Sequence, residues 1–373
     1  MQASHRADTS PPAGRSRNKR ILFIGLSYYA YTGRIVGSLR EKGFEVRYYP
    51  MENRGFWSKT IRRFLPSLYR PRLRHYHARI VEDEGRADYD YVFFLQIHTM
   101  AVDQVEKLRR KLPHAKFLLY NWDSVATHDY RPYLRFLDAA FTFDRSDAEM
   151  LGIQYLPLFA LPEYFVSADR DRAGAPRHDI YFVGAIVTLE RFAAIRRLDG
   201  YCRAHGLRFA KHLHCSPVTM AMLLRRGLYL RGMTLRSLST RRIVEIMNRA
   251  TAVFDFPNHR QSGYTMRLIE NMCAGKRIVT SNPAVRRESF YTEQQFFVAE
   301  SLDFEGLKEF LERGVPGTVD LNSGQHAEFA LDRWLDRIFE GNNEIITAQD
   351  GMRGVPSKYR RVEDEIRLER LKP

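Results

Sequence analysis

Cysteine is scarce in this chain of 373 residues, and the three that occur, Cys202, Cys215 and Cys273, form no C-x-x-C pair. A disulfide framework or a cysteine-bound zinc ion is therefore not expected, and the composition fits a reducing cytoplasm. Long apolar runs are missing as well. No run reaches the roughly 18 residues that a membrane-spanning helix needs, and the N-terminus lacks the apolar core of a secretory signal. A cytoplasmic location is the expectation.

Acidic residues are outnumbered, with 44 Asp and Glu against 59 Lys and Arg and a net charge of +15. Such a surplus indicates an anionic partner, which could be nucleic acid, anionic lipid or a phosphorylated substrate. The stretch 54–79 has no acidic residue and mixes basic with aromatic side chains. That mixture suits contact with an anionic membrane surface, but a helix with a solvated basic face explains it equally well. Pro66 and Pro71 are expected to break this stretch.

A second stretch without acidic residues, 200–244, carries nine Lys and Arg. A positive wall beside a phosphate site and a simple solvated face both explain it. Single-stranded nucleic acid would use basic and aromatic residues of the same kind. No recognised nucleic-acid-binding motif accompanies them, so nucleic acid is not the expected partner.

Apolar strands alternate with amphipathic segments along most of the chain, which predicts an α/β protein with doubly wound parallel sheets. The first strand, 21–24, is followed by glycines that do not form the G-x-G-x-x-G fingerprint of a dinucleotide site. The second strand ends in Tyr48-Tyr49-Pro50, where an acidic residue would contact the ribose of NAD. An NAD-dependent enzyme is therefore disfavoured.

Polar side chains stand at the ends of the predicted strands in the first half, where ligands of doubly wound sheets bind. His98 and Asp123 are the candidates for a catalytic base. The alternatives are a loop histidine for His98 and a helix N-cap for Asp123. The pair Asp88 and Asp90 precedes a strand, so we interpret it as a turn, and no metal site is predicted.

The segment 255–282 reads as strand, polar loop, helix and strand. Ser262 or Thr265 can cap the helix, and Gly275 can end it. A helix N-terminus attracts anions, and Arg267 and Glu270 share one helical face. This arrangement fits a nucleoside diphosphate, with Arg267 for phosphate and Glu270 for ribose hydroxyls. An ordinary surface Arg–Glu pair is the alternative.

The run QSGYTMRLIENMCAGKRIVTSN in this segment resembles the C-terminal half of GT-B glycosyltransferases. It is most similar to the CgeB-like type of bacterial lipopolysaccharide and capsule biosynthesis, in which Q-[ST]-G-x-T-x-R-x-[IL]-E is typical. The segments LYNWDS (119–124) and YFVGAIVTLER (181–191) are similar to two further motifs of that group. Many retaining GT-B enzymes carry a second glutamate eight positions before the one at Glu270. Ser262 stands there, which favours inversion.

The resemblance implies two Rossmann-like domains facing a cleft, at 20–165 for the acceptor and 166–341 for the nucleotide sugar. Residues 1–19 and 342–373 are expected to be a disordered basic tail and a charged tail. The implied partners are a nucleotide-sugar co-substrate, with no other cofactor, and a saccharide or lipid-linked acceptor at the cytoplasmic face of the inner membrane. An anion-binding protein that acts through its charge alone is the alternative. The implied donor-binding residues are Gly184, Gln261, Ser262, Gly263, Tyr264, Thr265, Arg267 and Glu270.

Overall fold

A computed structural model of the protein contains two parallel six-stranded sheets, one in each half of the chain. The structure describes residues 17–28, 31–52, 66–165, 176–257, 263–313 and 326–339. The predicted tails fall almost entirely outside these ranges, as do Gln261, Ser262 and 53–65. No helix within the described ranges is long and apolar enough to cross a bilayer.

The first sheet has the order β2-β1-β3-β4-β5-β6. Its strands β1 and β3 are continuous apolar runs because both faces of a parallel sheet are covered. The last strand has two residues, too few for a sequence pattern to show it. The strands and helices of this half are β1 Arg20–Gly25, α1 Tyr31–Glu41, β2 Glu45–Pro50, α2 Pro66–Glu84, β3 Tyr91–Leu95, α3 Val102–Lys111, β4 Lys116–Asn121, a 3₁₀ turn Arg131–Phe136, β5 Ala139–Thr142, α4 Arg145–Leu151, β6 Gln154–Tyr155 and a 3₁₀ turn Pro162–Tyr164.

The second sheet has the order β12-β11-β10-β7-β8-β9. The chain builds it outward from β7 to β9, and then returns to the other side of β7 with β10. The elements of this half are β7 His178–Ala185, α5 Leu189–Ala204, β8 Phe209–His214, α6 Pro217–Arg225, β9 Met233–Thr234, α7 Thr240–Asn248, β10 Ala250–Asp255, α8 Met266–Cys273, β11 Arg277–Thr280, a 3₁₀ turn Pro283–Arg287, β12 Phe296–Val298, α9 Leu307–Glu312, a 3₁₀ turn Ala327–Phe329 and α10 Leu331–Phe339.

The prolines of α2 correct one expectation. The helix begins at Pro66 and continues through Pro71, so Pro71 does not break it. A proline at a helix start costs no hydrogen bond, and the second one removes a single bond near the first turn of a long helix.

The last helix, α10, packs against the first half of the chain. The Trp334 ring lies against Tyr120 and Phe159 of the first half, with ring centroids 4.7 and 4.6 Å away. Phe339 at the end of the helix packs on Phe44 at 5.5 Å. An apolar stripe in the sequence of a helix does not indicate which sheet the helix will cover. Residues 331–339 thus cover part of the first half of the chain, although they follow the second sheet in sequence.

Candidate functional site

The second sheet has its topological switch point between β7 and β10, where the chain leaves in opposite directions. Ligands of doubly wound folds bind beyond the carboxyl ends of the strands at such a point. Helices α5 and α8 both begin there, and each is capped by a threonine. Thr188 accepts from the Arg191 amide at 3.2 Å, and Thr265 accepts from the Leu268 amide at 3.1 Å. Two capped helix N-termini thus adjoin one strand edge.

Arg267 is held at this edge by three contacts. Its Nη1 donates to Asp255 Oδ1 at 3.2 Å, and its Nη2 donates to the Val183 carbonyl at 3.1 Å. The guanidinium also stacks over the Phe182 ring, 4.5 Å from the centroid. These contacts fix the guanidinium in the switch point with its side chain 18% exposed. Arg267 is therefore not part of a surface Arg–Glu pair.

Gly184 provides the space that Arg267 occupies. A Cβ atom at this position would lie 2.6 Å from Arg267 Nη2 and 3.1 Å from the Phe182 ring. Real Cβ atoms do not approach so closely, so a larger residue would displace the guanidinium. The structure thus gives Gly184 a role in seating the arginine.

Arg191 is a second cation at the same edge. Its Nη1 and Nη2 donate to the carbonyls of Ala185 and Phe256, both at 3.2 Å. Burial, together with the positive charge of Arg267, lowers the pKa of Arg191 to about 10. Arg191 thus lies partly buried between two strand ends.

Asp255 supplies the carboxylate that Arg267 and Thr265 both contact. It is almost completely buried, and its Oδ1 accepts from both Arg267 and Thr265. Its buried Oδ2 has no hydrogen-bond partner within the described ranges. The buried and half-buried charges here, those of Arg191, Arg267 and Asp255, sum to a net positive charge beside two helix N-termini, and the nearby Glu190 is exposed. Such a site favours an anion.

Glu270 lies one turn further along α8 and is buried. Its carboxylate accepts from the Tyr31 hydroxyl of the first domain. Burial raises the pKa of Glu270 well above its ordinary value. The predicted partner, a ribose hydroxyl, would have to replace that tyrosine hydroxyl. The two domains are in contact here.

The loop before α8 also contacts the first domain. The Gly263 amide donates to Asp144 Oδ2 of the first half at 3.3 Å. Within the second half, the Tyr264 hydroxyl donates to Glu288 Oε1 at 2.9 Å. The structure thus places Gly263, Tyr264, Thr265, Arg267 and Glu270 around one helix start. Gln261 and Ser262 stay predictions, since they lie outside the described ranges.

Replacing Gly263 by alanine is expected to lower the free energy of unfolding by about 1–3 kcal/mol, the usual cost of overpacking. The added Cβ would lie 2.4 Å from the Phe143 ring and 2.7 Å from the Phe143 carbonyl oxygen. Gly200→Ala in α5 is the matched control, because nothing lies within 4 Å of its Cβ. Denaturant unfolding of both variants checks this. Equal stability of the two variants would show that the domain contact at Gly263 is loose.

The first half of the chain contributes a second group of polar residues, which follow the strands β3 and β4. We call this group the first-domain wall of the site, and the residues around Arg191 and Arg267 the second-domain wall. Asp123 Oδ2 accepts from the Gln96 side-chain amide and lies 3.6 Å from His128 Nε2. His128 stacks face to face on His98, with ring centroids 3.6 Å apart. Gln96 has a φ of +66°, a strained conformation for a residue with a side chain. Strain of this kind concentrates at functional sites.

His98 itself is poorly placed to exchange protons with solvent. Its Nδ1 is buried and has no hydrogen-bond partner within the described part of the chain. Burial, and the neighbouring His128, lower the pKa of His98 to about 4. His98 is therefore neutral at pH 7, and the His128 ring covers it. Sequence reasoning singled out His98 and missed His128, five residues after Asp123.

Trp122 connects the two walls. Its ring lies 6.0 Å from Tyr31 and 5.9 Å from Tyr28, centroid to centroid. Tyr31 in turn bonds Glu270 of α8. Trp122, which precedes Asp123, is thus linked through Tyr31 to α8, the helix that carries Arg267. The acid–base candidates and the anion site belong to one interdomain region.

Metal ligands do not form a cluster in the part of the chain that the structure describes. No group of three or more His, Cys, Asp and Glu side chains there is arranged to hold an ion. At the switch point, the guanidinium groups of Arg191 and Arg267 could balance the charge of a diphosphate.

Comparison with solved structures identifies the architecture. An α-glucosyltransferase solved with UDP and a 13-mer DNA superposes with a TM-score of 0.55 at 10% identity, covering 88% of this chain and 95% of its own. The UDP-forming α,α-trehalose-phosphate synthase from Burkholderia xenovorans superposes with a TM-score of 0.55 at 11% identity, covering 86% and 99%. No family model and no curated sequence matches the chain.

These likenesses establish the fold as that of the GT-B glycosyltransferases, with two Rossmann-like domains, as predicted. At identities this low they speak for the architecture alone. The CgeB-like resemblance therefore stays a prediction, as does the set of donor-binding and catalytic residues.

Proposed function

We propose that the chain is a metal-independent glycosyltransferase. It moves a sugar from a nucleotide-activated donor to a saccharide or lipid-linked acceptor, with inversion, in the synthesis of a bacterial lipopolysaccharide, capsule or exopolysaccharide. The observation that carries this proposal is the anion site at the switch point, where Arg191 is held by two main-chain carbonyls and Arg267 is paired with the buried Asp255. The polysaccharide role is supported by the sequence resemblance.

The donor would lie along the start of α8. Its diphosphate would accept hydrogen bonds from the helix N-termini and from the guanidinium groups of Arg191 and Arg267. Its ribose hydroxyls would replace the Tyr31 hydroxyl on Glu270. Donor binding would then exchange a contact between the domains for a contact with substrate. Gly263, Tyr264 and Thr265 would lie beside the phosphates.

The acceptor would lie against the first domain. Its hydroxyl oxygen would attack the anomeric carbon while the bond from that carbon to the diphosphate oxygen breaks. The hydroxyl proton would pass to the group formed by Asp123 and His128. The negative charge that develops on the leaving diphosphate would be stabilised by the two arginines. The first domain would thus activate the acceptor, and the second domain would stabilise the leaving group.

The described half of the stretch 54–79 supports contact with an anionic membrane surface. Leu68 is 55% exposed on α2, and Arg70, Arg72, Arg74 and Arg79 are exposed beside it. Such contact would bring a lipid-linked acceptor to the enzyme.

The test is a thermal-shift panel of the full chain with UDP, GDP, CMP, their sugar conjugates, NAD and a short oligonucleotide. We expect one class of nucleotide to stabilise the protein. A ligand at 100 times its dissociation constant adds about 2.7 kcal/mol. Stabilisation by NAD, or by the oligonucleotide alone, would refute the proposal in favour of a dehydrogenase or an anion-binding protein.

A further inference from the structure

The outer edge of the second domain carries an unusual surface, which we call the edge surface and define as residues 216–236. It comprises α6, the link that follows it, and β9, which is the outermost strand of the sheet. The surface lies in the acid-free stretch 200–244, and the donor site described above does not use it.

Apolar side chains of the edge surface face solvent. Val218 is 59% exposed, Leu224 51%, Tyr229 65% and Leu235 54%. In α6 it is Leu223 that is buried, and Pro217, Val218, Ala221 and Leu224 lie on the exposed side. A helix of a globular protein normally turns such residues to the core. This helix has an apolar face that no described residue covers.

The charges on the same surface are all positive. Arg225, Arg226, Arg231 and Arg236 are exposed, and no carboxylate pairs with them within the described ranges. Arg241 and Arg242, just beyond, pair with Glu245. Exposed aliphatic groups and an aromatic ring are thus interleaved with uncompensated guanidinium groups.

We infer that the edge surface docks on an anionic lipid bilayer. Leucine, valine and tyrosine side chains enter the boundary between headgroups and acyl chains, and arginines bind the lipid phosphates. Nucleic acid would use the arginines but would leave the aliphatic side chains in water. The lack of any acidic residue across the surface matches a partner of uniform negative charge. This inference is independent of the reaction that the protein catalyses.

Co-sedimentation of the full chain with vesicles tests it, using phosphatidylcholine alone and with about a third phosphatidylglycerol. We expect binding only to the anionic vesicles. Arg225→Gln with Arg226→Gln should weaken that binding by about tenfold or more, since each arginine near an anionic surface contributes roughly fivefold. Leu224→Ser with Tyr229→Ser should weaken it by about tenfold or more through lost insertion.

Matched variants remove the same groups elsewhere. Arg287→Gln with Arg333→Gln removes two other exposed charges, and Met150→Ser removes another exposed apolar side chain. These should bind like the parent protein. Circular dichroism and thermal unfolding establish that each variant is folded. If an edge variant does not fold, Val218→Ser with Leu235→Ser replaces it.

Three results would overturn the inference. The edge variants could bind vesicles like the parent, while Leu68→Ser with Arg70→Gln abolishes binding, which would assign the membrane contact to the first domain. The charge variant could lose binding to an oligonucleotide while no variant affects vesicles. Finally, vesicles could fail to bind any form of the protein.

Discussion

Arg191→Gln is expected to weaken nucleoside diphosphate binding by about 10- to 100-fold, the amount that a charge-assisted hydrogen bond contributes. The guanidinium is charged at pH 7, because its pKa is about 10. It lies partly buried at the start of α5, where a phosphate would be shielded from water. Glutamine keeps a donor for one strand carbonyl but removes the charge. Isothermal titration with the nucleotide that the panel identifies measures the effect.

The matched control for Arg191 is Arg196→Gln, which removes an exposed charge from the same helix. It should bind nucleotide like the parent protein. Equal affinity of the Arg191 and Arg196 variants would show that the switch point is not the phosphate site. If both variants bound nucleotide more weakly than the parent protein and to the same extent, only the net charge of the domain would matter.

Arg267 is the less informative residue to substitute, although the sequence pattern points to it first. It is the ion-pair partner of Asp255, a carboxylate only 1% exposed. Removing one partner of a buried pair leaves an uncompensated charge, at a cost of about 3–5 kcal/mol. An inactive Arg267→Ala protein could therefore be an unfolded one. Arg191 donates to main-chain carbonyls, so its loss leaves no such charge.

Asp123→Asn is expected to lower kcat for sugar transfer by about 10²- to 10⁴-fold, the contribution of a general base. The affinity for the donor should not change, because the carboxylate contacts Gln96 and His128 on the opposite wall. Asparagine keeps the shape and can still accept from Gln96. Initial rates with the donor at saturation, together with titration of the donor, separate the two quantities.

The control is Asp129→Asn, which removes a half-exposed carboxylate that pairs with Arg131 in the same loop. It should transfer sugar normally. His128→Asn distinguishes two versions of the mechanism. If the imidazole takes the proton, kcat falls in both His128→Asn and Asp123→Asn, whereas a loss confined to Asp123→Asn would make the carboxylate itself the base.

A retaining mechanism would give a different outcome, since it needs no protein base to activate the acceptor from this wall. An Asp123→Asn protein with nearly full kcat would contradict inversion through this base. The anomeric configuration of the product, read by NMR, would settle the stereochemistry directly.

Local sequence signals were sufficient for most of the fold. The apolar runs that became β1, β3 and β10 are long enough to need burial on both faces, and Thr265 and Gly275 mark the ends of α8 as expected. Two-residue strands such as β6 have no pattern of their own. They exist because a neighbouring strand offers free main-chain groups.

The site was less predictable because its contacts join residues far apart in the chain. The Arg267–Asp255 pair could have been anticipated, since a charged residue ending an apolar strand just before a capped helix is an available signal. The Tyr31–Glu270 bond could not, because it depends on how two domains meet. The stack of His98 on His128 depends on the path of one loop.

The return of α10 to the first domain has a consequence for how the protein is made. Trp334 fills the space between Tyr120 and Phe159, so the core of the first domain stays incomplete until α10 emerges from the ribosome. Trp334 stands 175 positions after Phe159, a delay of roughly 9–35 s at a synthesis rate of 5–20 residues per second. During that time the growing chain exposes an aromatic cavity. The domain that is translated first is therefore the one that can finish folding last.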